Sequence, residues 1–482
     1  MNGRLTLTDL LAVEADPQLW APTCPVSGVP YWHLIRGPML RMIISDQFYD
    51  SAIVAASSTV APRMRMLKTA LRSLTSNLLA RPQKVPILVM ATAMGVIRSD
   101  DGWINRLADH FVTADPARTN LIEDQFQWQW RTPRAIPPTL FHAPLQASCV
   151  LSARLLPRAR YRRAAQLVIS MARRRAAETV GFELDDERAN ALTSRLTARA
   201  SELPHLFRAY TRLLKRLGTR ILLKEEASYG GSSALMAAAN ALGIITAEYQ
   251  HGLISDGHDA YNFAPAIQHL PALRQCLPQY LLTYGDWWNH QMSTPVTPIA
   301  IGNPHRSYAL GRLAKAGGRR DVVLFLGDGL DTQASLAMAR RIDEAIRPAN
   351  LRLMFRPHPI ERARIAELGE QGALGVEIDS IADINAAMSG TVAVVGETST
   401  GLYEAIGLAG RVLVWNTPKA QFTLGRHPFE TFASAQDLAA LLAREPREQN
   451  NQSLSMIWAP DWQQRYAAFL AQHGVTNVDG VH

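Results

Sequence analysis

The chain has 482 residues, 47% of them hydrophobic and 19% charged; two domains are the default expectation, and disordered, collagen-like and mucin-like arrays are excluded. The formal net charge of +8 points to an anionic partner without identifying it. No apolar run is long enough to span a membrane, and Cys24, Cys149 and Cys276 are too few and too far apart for a disulfide framework or a metal knuckle.

At the N-terminus, Met1 to Leu11 lacks a basic region followed by an apolar core, so a cytoplasmic protein without a secretory signal is expected. Pro30-Tyr31-Trp32-His33 opens a mixed region running to about residue 80, in which Trp32 is expected to be a packing anchor. Arg63, Arg65, Lys68, Arg72, Arg81 and Lys84 interleave with Met64, Met66, Leu67, Leu71, Leu74, Leu78 and Leu79. That pattern reads as a basic amphipathic helix able to lie against an anionic membrane surface. The more ordinary reading is a solvated face whose leucines join the core. A second basic cluster runs from Arg154 to Arg175. No nucleic-acid-binding signature accompanies either cluster, so no nucleic-acid partner is expected.

Short apolar runs then alternate with helical stretches, at 85–90, 119–122, 220–223, 244–248 and 280–284, and again at 322–326, 351–355, 391–395 and 411–415. Such alternation predicts parallel sheets covered on both faces. Gly302-Asn303-Pro304 and the basic stretch from Gly311 to Arg320 separate the two series as an interdomain crossing. The expected fold is α/β, with two Rossmann-like lobes whose parallel sheets face a central cleft. Trp462, Tyr466 and Phe469, at helical spacing, should form a C-terminal helix that packs back onto the body. The expected division is an N-terminal lobe 1–303, a C-terminal lobe 304–445, and a closing helix and tail 446–482.

Open parallel sheets bind ligands beyond the carboxyl ends of their strands, so the loops there carry the candidates. After 391–395 come Gly396-Glu397-Thr398-Ser399-Thr400-Gly401 and a helix from about Leu402, whose hydroxyls and free N–H groups suit a phosphate, with Glu404 placed to accept from ribose hydroxyls. A plain N-cap by Thr398 or Ser399 is the competing reading. Arg356-Pro357-His358-Pro359 follows 351–355, and its prolines hold His358 extended beside an arginine, suited to a nucleotide. Gly327-Asp328-Gly329 ends another strand.

In the first lobe, Lys224-Glu225-Glu226 leads into Ser228-Tyr229-Gly230-Gly231, and strand 244–248 ends in Tyr249-Gln250-His251-Gly252. His251, exposed by a turn, has the chemistry of a general base near neutrality, with Glu226 and Glu248 to orient it or bind an acceptor. Asp256, His258 and Asp259 are further polar candidates, and Asp100-Asp101-Gly102 is a weak one. No dinucleotide fingerprint, Walker A loop, zinc helix or metal-binding carboxylate pair is present, so Arg356 and the helix start would have to stabilise any phosphate leaving group.

Two lobes with His251-Gly252 in the first, and His358-Pro359 and Ser399-Thr400-Gly401 in the second, resemble GT-B glycosyltransferases. The pattern is most similar to the branch of bacterial sialyltransferases, capsule Kdo transferases and CDP-glycerol glycerophosphotransferases. The resemblance covers residues 215 to 420 through these motifs. It implies His251 as the catalytic base, and His358, Pro359, Ser399, Thr400 and Gly401 as donor-binding residues; Arg356, Thr398 and Glu404 join that set by their own placement on the same loops. Asp100-Asp101-Gly102 is similar to the acidic-acidic-glycine motif of bacterial sialyltransferases, which makes Asp101 a further catalytic candidate. A retaining mechanism would need a carboxylate nucleophile, for which Asp256 or Glu226 is available.

The implied activity is metal-independent transfer of a sugar from a nucleotide donor, CMP-sugars favoured, to a glycan, lipid-linked or protein acceptor in surface glycoconjugate synthesis. No cofactor is implied beyond the donor itself, and the basic helices would place the enzyme at the inner face of the membrane. Nucleotide-sugar 2-epimerases share the architecture, and Ser399 to Glu404 is similar to their Ser-Gly-Gly-x-x-Glu loop. A non-catalytic basic interaction protein is the third reading.

Overall fold

The computed structural model describes residues 5–48, 63–99, 102–125, 128–155, 157–313, 319–445 and 451–476. The strands are β1 (Ile87–Thr92), β2 (Val96–Ser99), β3 (Gly102–Asn105), β4 (Thr119–Asp124), β5 (Leu140–Phe141), β6 (Ile221–Lys224), β7 (Ile245–Tyr249), β8 (Tyr280–Thr283), β9 (Thr297–Ala300), β10 (Val322–Leu326), β11 (Arg352–Arg356), β12 (Glu377–Ile378), β13 (Ala393–Gly396), β14 (Val412–Trp415) and β15 (Glu430–Phe432). The first sheet has the order β5-β4-β1-β6-β7-β8-β9 and the second β12-β11-β10-β13-β14-β15. Neighbouring strands in both are parallel. β2 and β3 form a separate antiparallel hairpin.

Alternate residues of each strand feed opposite faces. Ile87 and Val89 of β1 join Ile221 and Leu223 of β6 on one face, while Leu88 and Leu222 join the large core on the other. Val323 and Phe325 of β10 likewise part from Val322, Leu324 and Leu326. Burial on both faces is why these strands read as continuous apolar runs.

The two-lobed α/β architecture expected from the sequence is the one the chain adopts. The nine expected strands are present, with ends shifted by at most two residues. β5, β12 and β15 escape sequence reading because they are only two or three residues long, and β9 because Pro298 argues against a strand. At the sheet edge, where β9 lies, a proline is tolerated. Helix Trp462–Gln472 returns to the first sheet as expected, burying Trp462, Tyr466, Phe469 and Leu470 against Val89, Phe111 and Leu223.

One expectation is corrected. The leucines of helix Arg63–Leu79 do not join the core: Leu67, Leu71, Leu74 and Leu78 are all exposed.

The N-terminal helices brace the loop after β7. Trp32 is fully buried, as expected of an anchor, and donates through Nε1 to Glu14 at 3.3 Å. Arg36 pairs with Glu14 (Nη2 to Oε1, 2.9 Å) and donates to the carbonyl oxygens of Asp259 and Asn262. Arg41 reaches the Asp259 carboxylate at 3.4 Å. The same loop touches the second lobe. Ser255 donates to the Thr423 carbonyl, and a Cβ on Gly257 would collide with the Phe422 carbonyl oxygen. We therefore expect Gly257→Ala to force the lobes apart locally and lower the unfolding midpoint by several degrees, equivalent to about 1–3 kcal/mol of overpacking. Differential scanning calorimetry checks this, and an unchanged midpoint would refute the tight lobe contact.

Candidate functional site

The first-lobe loops build a buried polar cluster around His251. Glu248, near the end of β7, is fully buried and accepts from the Ser228 N–H at 2.8 Å, the Ser228 hydroxyl and the Tyr261 hydroxyl at 2.8 Å. Burial pushes its pKa up to about 7, against the lowering effect of those hydrogen bonds. His251 Nδ1 lies 3.4 Å from the Tyr261 hydroxyl and 3.8 Å from Glu248 Oε1. Its Nε2 has no hydrogen-bond partner among the described residues. Burial pushes the His251 pKa below the ordinary value, while the Glu226 charge pulls it upward. Glu226 itself has a left-handed backbone, φ 57°, which is strained for a residue with a side chain and holds it at the turn after β6. Glu225 is engaged elsewhere, accepting from the Thr92 N–H and hydroxyl.

The second-lobe loops centre on a buried lysine. Lys419 Nζ lies 3.0 Å from Asp328 Oδ2, at the end of β10, and pairs also with Glu397, after β13. Thr398 donates to Asp328 at 2.8 Å, and Thr417 donates to Glu397. The two carboxylates respond in opposite directions. Burial raises Asp328, but Lys419 and the donors Leu330 N–H and Thr398 outweigh it and leave its pKa below the ordinary value. Burial prevails for Glu397, which is raised. His358 follows β11, its N–H donating to Glu361 at 2.7 Å and its Nδ1 accepting from the Ile360 N–H at 3.3 Å. That acceptor role leaves the proton on Nε2. Burial lowers its pKa, Asp328 opposes this, and Arg106 and Arg362 add to it.

The two sets of loops meet. The Leu253 N–H, two residues past His251, donates to Thr400 Oγ1 at 3.1 Å. The Ser399 hydroxyl accepts from the Gly401 N–H at 3.2 Å, and the amides of Ser399 and Thr400 have no acceptor among the described residues. The helix after them, Gly401–Glu404, is a single turn with no side-chain cap. The phosphate-binding capacity expected from a helix dipole therefore reduces to individual N–H groups. Arg106, next to β3 and in the first lobe, is close enough to His251 and His358 to lower both pKa values. Neither Arg106 nor Arg362 has an ion-pair partner among the described residues. Arg106 acts on the histidines of both lobes, whereas Arg362 acts on His358 alone and lines a cavity shared with Asp379.

Other expected residues are placed differently. Arg356 is buried, paired with Asp379 and donating to the carbonyls of Ile381 at 2.7 Å and Ala382 at 3.2 Å. Arg356 lines a cavity of about 230 Å³ with Pro357, Arg362, Asp379 and Ser380. Asp256 lies 3.5 Å from Arg426 of the second lobe, a tie between lobes. Thr398 is engaged by Asp328. Glu404 lies near Arg306 and Tyr284. His258 is bonded locally, with Nδ1 accepting from the Ala260 N–H. Pro359 is exposed beside His358. Asp100 and Asp101 lie outside the described residues. Arg106, Tyr261 and Lys419 were missed in the sequence because no motif surrounds them, although Lys419 does follow a strand end.

No protein-family model matches the chain, and no curated protein matches it in sequence. Among solved structures it is similar to the UDP-GlcNAc 2-epimerase of Methanocaldococcus jannaschii in complex with UDP-GlcNAc and UDP, at 10% identity and a TM-score of 0.44, over 80% of this chain and 100% of that one. It is also similar to the glycotransferase of kitacinnamycin, at 13% identity and a TM-score of 0.38, over 81% and 96% of the two chains. A third is the wall teichoic acid polymerase TagF, at 10% identity and a TM-score of 0.37, over 86% and 92%.

Proposed function

We propose that the chain is a GT-B glycosyltransferase acting on a nucleotide-activated sugar, with 1–303 as acceptor lobe, 304–445 as donor lobe and 446–482 as the closing segment. The observation that carries this reading is the contact between Leu253 and Thr400. It brings the loop of a histidine with one free ring nitrogen to the loop that carries two unpaired amides, and Arg106 is near enough to act on that histidine. In an inverting reaction His251 Nε2 takes the proton of the acceptor hydroxyl while that oxygen bonds to the anomeric carbon. The bond from that carbon to the phosphate oxygen breaks, and the phosphate keeps the electron pair. Glu248 and Tyr261 hold Nδ1 and favour the imidazolium as it forms. The Ser399 and Thr400 amides, Arg106, Arg362 and the His358 Nε2–H meet the growing phosphate charge, in place of a metal. The cavity beside Arg356 has room for part of the nucleoside. Cytidine donors and a surface-glycan acceptor are favoured by resemblance.

The test is product analysis by chromatography of CMP-, UDP-, GDP- and dTDP-sugars, incubated with the protein with and without a bacterial surface-glycan extract. A transferase releases nucleotide far faster with the extract. Conversion of the sugar without any acceptor would establish an epimerase instead, and no turnover under either condition would overturn the enzymatic reading.

A further inference from the structure

Helix Arg63–Leu79 is docked inside out. Its buried face is polar and spaced four residues apart: Thr69 donates to the Trp128 carbonyl at 2.9 Å, Ser73 donates to Gln125, and Asn77 exchanges two 2.8 Å hydrogen bonds with the backbone of Phe141. The opposite half carries Met64, Leu67, Leu71, Leu74 and Leu78 in one stripe. Leu67 is 56% exposed, Leu71 54% and Leu78 76%. Beside the stripe run Arg65, Lys68 and Arg72, exposed and with no ion-pair partner among the described residues. The neighbouring helix Ala143–Arg154 exposes Leu151, and Leu155 follows it. The polar face is satisfied by these hydrogen bonds, whereas the exposed leucines cost hydrophobic free energy unless the apolar half is covered by something else.

We propose that this face docks on an anionic lipid bilayer, with the leucines in the acyl boundary and the cations at the headgroups. Charge selects this occupant. Residues 63–84 contain six Lys and Arg and no Asp or Glu. A second copy of the chain on the same face would bring cation against cation, whereas a nucleic acid would leave the leucine stripe in water. An anionic surface satisfies both halves at once and attracts each cation.

Sedimentation of the full chain with phosphatidylcholine vesicles, with and without phosphatidylglycerol, tests the proposal. Binding is expected only to the anionic vesicles and should fall with added salt. Lys68→Gln with Arg72→Gln should weaken it roughly thirtyfold, and Leu71→Ser with Leu78→Ser by on the order of a hundredfold. These side chains are exposed, so both variants should keep the wild-type thermal midpoint. Equal binding to neutral vesicles, no binding to either, or a concentration-dependent dimer abolished by Leu71→Ser would each overturn the proposal.

Discussion

His251→Ala is expected to lower turnover by about 10²–10⁴-fold, the usual contribution of a positioned general base, while nucleotide binding survives. The distinction follows from placement. His251 stands on the first-lobe loop, bonded through Nδ1 to Tyr261, whereas the amides and cations suited to phosphate lie mainly on the other side of the junction. Steady-state kinetics and a nucleotide titration on the same variant separate the two effects, and full turnover in His251→Ala would remove it as the base. The pH profile adds a sign. A base must be neutral to accept a proton, and burial holds His251 below its ordinary 6.5, so the acid limb of kcat/KM should fall below that value. A limb above 6.5 would mean another group is titrating.

Lys419→Met should cost about 3–5 kcal/mol of stability, because it leaves Asp328 and Glu397 buried without their shared cation. At roughly 2–4 °C per kcal/mol for a lobe of this size, the unfolding midpoint should drop by about 10 °C. Donor binding should weaken too, since Asp328 holds Thr398, immediately before Ser399. A midpoint within a degree of wild type would show that the triad is not held as described. The pair also predicts an acid response. Asp328 is depressed below its ordinary 3.8, so its stabilisation is present above that value and lost as pH falls through the lower folded pKa. Glu397, raised by burial, works the other way: its share is present in acid and lost as pH rises through its folded value.

The sheets were legible because both faces of each strand are buried, which writes the strands as unbroken apolar runs such as Val322–Leu326. The site was legible only in part. His251, His358 and Ser399-Thr400-Gly401 sit on strand-end loops where position alone marks them. Arg106 belongs to a hairpin, and its nearness to both histidines comes from tertiary folding, as does the pairing of Lys419 with carboxylates 91 and 22 residues earlier in the chain. Arg356 is the opposite case. A strand-end arginine suggests a phosphate ligand, yet Asp379, supplied by the loop after β12, engages it. β12 is two residues long and gave no signal of its own. The leucines at 67–78 mislead for a similar reason, because helical periodicity reveals an apolar face without saying which face the fold covers.

A nucleotide site at this junction is tested most directly by a thermal-shift panel of CMP, CDP, UDP, GDP and dTDP on the purified protein and on Ser399→Ala. A nucleotide at about 100 times its dissociation constant adds roughly 2.7 kcal/mol to the folded state. Cytidine nucleotides should raise the midpoint of the wild type clearly and that of Ser399→Ala much less. A shift confined to UDP, GDP or dTDP would replace the cytidine donor, and no shift with any nucleotide would contradict a nucleotide-sugar site at this junction.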